Sequence, residues 1–85
     1  MNRVIWKYPI SASDEFTVEM PEGRPQLLAV QMQNGAPTMW ASVDSTQRLT
    51  PHTFRVVATG QPYDSTGLTY VGTFQPADGL VFEKL

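Results

Sequence analysis

The pair Asn34-Gly35 constrains this chain more than any other two residues. A type I′ turn holds two successive residues at positive φ, and Asn-Gly accepts that geometry at the least steric cost. Taken as a two-residue loop, it pairs Gln33 with Ala36, Met32 with Pro37, Val30 with Met39 and Leu28 with Ala41. The last three pairs are apolar and fall on one face, while Gln31–Thr38 and Ala29–Trp40 fall on the other. A slip of one residue would mix the faces, so turn and pattern select the same register. Pro37 sits in a non-hydrogen-bonded pair, and its missing amide hydrogen turns away from the preceding strand. The far flank of its own strand near that point is expected to be free, bulged or covered by a loop.

Alternation with a period of two runs through the rest of the chain. Val4, Trp6, Tyr8 and Ile10 share one face, Ile5 and Lys7 the other, and Pro9 marks an edge strand or its end. Phe16, Val18 and Met20 alternate with Thr17 and Glu19 until Pro21-Glu22-Gly23 stops the run. Residues 44–51 (DSTQRLTP) are polar and read as a loop. A strand follows from Thr53 to Thr59, with Phe54, Val56 and Ala58 inward. Residues 60–67 read as a longer turn and Leu68 to Phe74 as the sixth strand. Gln75-Pro76-Ala77-Asp78-Gly79 has the pattern of a type I turn, with Pro second and Gly closing. Leu80 to Glu83 forms the seventh strand, and its register stays open because both Val81 and Leu80/Phe82 are able to face the core. No 3.6-residue stripe is present; Ser11 to Glu15 resembles a capping box and allows at most one helical turn. The expected fold is all-β, a single domain over residues 1–85 built as a small antiparallel barrel or sandwich of six to seven short strands.

Composition excludes several functions. Six basic against eight acidic residues give a formal charge of −2, without the basic surplus that displaces counterions from nucleic-acid phosphates. The long uncharged run that includes Pro25 to Ser42 is interrupted by Gln31, Gln33, Asn34, Gly35 and Pro37. It does not supply the ~20 predominantly apolar residues of a membrane span. Residues before Lys7 hold no apolar core of a signal peptide, so the expected compartment is the cytoplasm. There is no cysteine, hence no disulfide, thiolate nucleophile or Cys-ligated zinc. A small unstapled core leaves monomer and homodimer both open.

Candidate chemistry is sparse, and neither a cofactor nor a metal is expected. His52 is the sole histidine; a structural or solvated role is the simpler reading, a ligand contact beside Arg48 and Arg55 the functional one. No strand–Ser–helix elbow supports a Ser–His–Asp triad. Asp14, Glu15, Glu19 and Glu22 cluster in sequence, either as a solvated face or as an acidic patch meeting a basic partner. Trp6, Tyr8, Phe16, Phe54, Phe74 and Phe82 take alternating inward positions and read as core. Trp40, opposite Ala29, and Tyr63, in a polar loop, read as exposed; exposed Trp and Tyr are frequent interface anchors. The candidate binding residues are therefore Trp40, Tyr63, Arg48, Arg55 and His52, with no catalytic set.

Several motifs occur in a characteristic order: Lys7-Tyr8-Pro9, Val30-Gln31-Met32-Gln33-Asn34-Gly35 with Pro37, Trp40-Ala41-Ser42-Val43-Asp44, Phe54-Arg55, Thr59-Gly60-Gln61-Pro62, Tyr70-Val71-Gly72-Thr73-Phe74 and Val81-Phe82. Together they resemble a family of small proteins of unknown function encoded by tailed bacteriophages and prophages, over nearly the whole chain. Where relatives carry a His after the terminal Val-Phe, this chain has Glu83, so a role for that His does not carry over. The resemblance implies a phage accessory protein acting in the cytoplasm of the infected bacterium, without established catalytic residues. The expected function is non-enzymatic binding and modulation or inhibition of a bacterial host protein of the defence or transcription machinery. The alternative is a nucleotide-binding or virion structural protein.

Overall fold

The computed structural model describes residues 3–10, 14–74 and 79–84. Seven strands follow one another: β1 (Val4–Pro9), β2 (Glu15–Pro21), β3 (Gln26–Gln33), β4 (Ala36–Val43), β5 (Leu49–Ala58), β6 (Leu68–Phe74) and β7 (Gly79–Lys84). They form two antiparallel sheets, ordered β1-β4-β3 and β2-β5-β7-β6. The fold is a thin sandwich measuring 41 × 31 × 16 Å, rather than a closed barrel, and no helix occurs among the described residues.

The hairpin forms as its turn requires. Asn34 and Gly35 take φ of 51° and 79°, and Gln33–Ala36, Met32–Pro37, Gln31–Thr38, Val30–Met39 and Ala29–Trp40 face one another. The expected Leu28–Ala41 pair does not form. A bulge between Leu27 and Ala29 puts Leu27 opposite Ala41, because an extra residue shifts the strand's phase by one. Leu27 packs against the core and Leu28 turns outward, 44% exposed.

The far flank of β4 is neither free, bulged nor covered by a loop: β1 pairs along it, making β4 the central strand. The pair flanking a two-residue loop exchanges hydrogen bonds, so alternate residues of β4 from Pro37 onward turn their amides toward β1. Ile10 N accordingly donates to Pro37 O at 3.0 Å. β1 is an edge strand, as Pro9 implied. For that reason Trp6 is not a core residue; with no strand beyond it among the described residues, the indole stays 38% exposed.

β5 begins at Leu49, not Thr53, and runs through Pro51 and His52. Val56 N donates to Asp14 O at 2.8 Å on the β2 side, so by alternation Pro51 directs its missing amide hydrogen to the opposite flank. There β7 pairs only Phe54–Ala58, and a proline costs no ladder bond on an open flank.

The core lies between the sheets, with Met20, Met39, Ala41, Val43, Phe54 and Val81 fully buried. Phe16 stacks on Phe54 at 5.2 Å between ring centroids. Ala58, expected inward, is exposed at the end of its strand, where only Gly79 faces it. The sheets approach most broadly where β3 meets β6. Gly72, beside a bulge in β6, permits this, since a Cβ there would lie 3.0 Å from Val30 Cγ2. The open register of β7 resolves through its position between β5 and β6. Val81 enters the inter-sheet core while Phe82 is buried on the opposite face. The expected helical turn at Ser11 and the type I turn over Gln75–Asp78 lie outside the described residues.

Candidate functional site

The outer face of the four-stranded sheet carries the most built surface. Its register aligns Glu15 (β2), Arg55 (β5), Phe82 (β7) and Tyr70 (β6) in one row across the sheet. The next row holds Val57, Leu80 and Thr73. Tyr63, from the loop joining β5 to β6, lies over Phe82 with ring centroids 5.2 Å apart. Tyr70 meets the same ring edge-on at 5.7 Å, and its hydroxyl is 2.6 Å from Thr73 Oγ1. Phe82 is thus buried beneath two tyrosines that are themselves 44% and 56% exposed. Edge-to-face and tilted aromatic packing holds such rings in defined orientations.

The loop is tied down at both ends. Gln61 N donates to Ala58 O, and Ala58 N donates back to Gln61 Oε1, each at 2.9 Å. Asp64 accepts from Thr66 N at 2.9 Å. That bond, foremost, holds the Asp64 carboxyl below the usual carboxylate range, with the positive charge of Arg55 contributing. Arg55 is the sheet neighbour of Phe82, over which Tyr63 of the loop lies. Its Nε is buried without a hydrogen-bond partner, so one donor of the fork goes unused. Between loop and sheet runs a mainly apolar groove of about 240 Å³, lined by residues including Val57, Gln61, Tyr63, Leu80 and Phe82.

The five residues singled out from the sequence do not converge. Arg55 and Tyr63 belong to this outer face. His52 shares the opposite, inter-sheet face of β5 with Phe54, its Nε2 3.2 Å from Thr50 Oγ1 and its Nδ1 3.7 Å from Glu83 Oε2. At that distance His52 and Glu83 attract only when the imidazole is protonated, and Thr50 directs its hydroxyl toward Met20 O at 3.5 Å. The trio joins β5 to β7. Arg48 extends from the β4–β5 connection, 81% exposed, and pairs with Glu22 at 3.2 Å. Trp40 lies half-buried on the outer face of the other sheet, between Lys7 and Ala29. In the acidic stretch, Glu15 pairs with Lys84 at 3.0 Å and Glu22 with Arg48, so two of its charges are compensated. Among the described residues, no three His, Cys, Asp or Glu side chains gather to hold a metal ion.

Sequence reasoning missed Tyr70, Leu80, Val57 and the outward role of Phe82. The available signal was the unbroken apolar run Leu80-Val81-Phe82, which marks a strand covered on both faces. Comparison with known families matches residues 1–84 to a family described as Domain of unknown function (DUF7352). The chain belongs to that family. No curated protein and no solved structure matches it.

Proposed function

We propose that this chain is a non-enzymatic binding protein, a phage accessory protein that docks on a bacterial host protein in the infected cell and modulates or inhibits it. The observation that carries this reading is the outer face of β2-β5-β7-β6, where Tyr63 and Tyr70 stand exposed over buried Phe82 beside an apolar groove. Exposed Tyr side chains beside an apolar groove are frequent anchors of a protein interface. Size favours a protein partner over a nucleotide: about 240 Å³ falls below the roughly 300–1,000 Å³ of small-molecule sites, yet it admits an apolar side chain of a partner. The phage setting rests on the ordered motifs from Lys7-Tyr8-Pro9 to Val81-Phe82. The net charge of −2 is too small for nucleic-acid mimicry, so shape complementarity carries the contact.

The test is affinity capture from nuclease-treated bacterial lysate with three tagged forms: wild type, Tyr63→Ala and Trp40→Ala. A single host protein retained by wild type and Trp40→Ala, and bound at least about tenfold more weakly by Tyr63→Ala, is the expected result. Equal retention by Tyr63→Ala would remove this face from the interface. Retention of no host protein would overturn the binding reading itself.

A further inference from the structure

We infer that the outer flank of β1 pairs antiparallel with β1 of a second copy of this chain, about a two-fold axis through Trp6. Four strands lie at sheet edges, and three of them are guarded. β3 and β6 lie against each other. β2 exposes Glu19 and ends in Pro21, a charge and a proline being ordinary edge defences. β1 differs: Val4, Ile5 and Trp6 are 38%, 64% and 38% exposed, and among the described residues no strand covers its outer flank. Its one charge does not blunt the edge either, because Lys7 Nζ reaches inward across the sheet to Gln33 Oε1 at 2.9 Å.

Hydrogen-bond phase selects the register. Met39, Ala41 and Val43 turn their amides toward β1, so their partners Tyr8, Trp6 and Val4 point back at β4. Ile5 and Lys7 then present N–H and C=O outward, and Pro9, the next position in phase, presents only a carbonyl. A two-fold axis through Trp6 sets Ile5 opposite the partner's Lys7, each exchanging both backbone bonds. Val4 then faces the partner's Tyr8, and Trp6 faces its own copy. Val4–Tyr8 and Trp6–Trp6 are apolar pairs, Ile5 lies along the aliphatic stem of Lys7, no like charges oppose, and Pro9 falls beyond the paired segment. Shifting the axis to Lys7 would set two lysines opposite and demand an amide from Pro9; shifting it to Ile5 would set Arg3 against Lys7. The strand is thus complementary to itself in one register, and the outcome is a continuous six-stranded sheet.

The experiment measures self-association by sedimentation, with amide hydrogen exchange, for wild type, Ile5→Lys and Ile5→Glu. Ile5 is well exposed, so both variants keep the fold, which circular dichroism checks. Each substitution enters the interface twice by symmetry. Ile5→Lys opposes Lys7 and is expected to weaken dimerisation roughly tenfold, whereas Ile5→Glu, facing Lys7 with opposite charge, stays within about threefold of wild type. The Ile5 and Lys7 amides are expected to exchange more slowly as concentration rises, with Trp6 and Tyr8 unchanged. A wild-type chain that stays monomeric into the millimolar range overturns the inference. So does a dimer that weakens equally with Lys and Glu at position 5, or that leaves the Ile5 and Lys7 amides unprotected.

Discussion

Gly79→Ala tests the packing at the end of the core. An ideal Cβ on Gly79 would lie 2.3 Å from Phe74 Cζ and 2.6 Å from Cε1. Carbon atoms pack best at about 3.5–4.0 Å, so the ring would have to retreat by about 1 Å. Phe74 is 3% exposed and pairs directly with Gly79 across the strands, leaving little space for that movement. Overpacking of this kind costs about 1–3 kcal/mol. Replacing Gly by Ala also removes freedom from the unfolded chain, which offsets about 0.4–1 kcal/mol. The expected net loss is therefore between about 0 and 2.6 kcal/mol, and each kcal/mol corresponds to roughly 4–8 °C in Tm for a domain of this size. In a Phe74→Leu background the ring's far edge is gone, and Gly79→Ala is expected to become neutral or stabilising. Urea unfolding of the wild type, both single variants and the double variant gives a coupling energy of roughly 1–3 kcal/mol if the collision is real. Effects that add to within about 0.5 kcal/mol would refute the reasoning, because two independent sites would then be involved.

Two further outcomes follow from particular side chains. The bulge in β3 makes Leu27 and Leu28 unequal: Leu27→Ala is expected to cost about 2 kcal/mol or more and Leu28→Ala under about 1 kcal/mol, a difference that thermal unfolding reads directly. Tyr8 carries a buried hydroxyl with no hydrogen-bond partner, and burial raises its pKa. Removing an unsatisfied buried group relieves its desolvation cost, so Tyr8→Phe is expected to leave stability unchanged or raise it by up to about 1 kcal/mol, and a loss of that size in urea unfolding would show that the hydroxyl is satisfied in solution.

Much of this architecture is local and therefore legible from residues alone. Asn34-Gly35 defines a turn whose backbone angles are intrinsic to those residue types, and alternation from Val30 to Ala41 then determines which face is buried. Phe16, Val18 and Met20, and Phe54 with Val56, follow from the same rule. Pro9 announced an edge because a missing N–H has the same consequence in any fold. A family of unknown function is likewise matched over residues 1–84. What alternation does not encode is which strands become neighbours.

Strand order is a non-local property, and several outcomes hang on it. Pro51 resembled a loop residue until the short reach of β7 left its flank of β5 open. Trp6 has the pattern of a core residue but sits on a strand with no further strand beyond it among the described residues. Leu28 faces solvent through a one-residue bulge that no period reveals. Phe82 shows the effect most clearly: β7 lies between β5 and β6, so both its faces are covered, one by the core and the other by Tyr63 and Tyr70. The sequence by itself determined the strands, their turns and the apolar face of most of them, because these depend on neighbours in the chain. Only the tertiary structure decided the groove, the separation of the five candidate residues and the open flank of β1, because each arises from elements brought together across the fold.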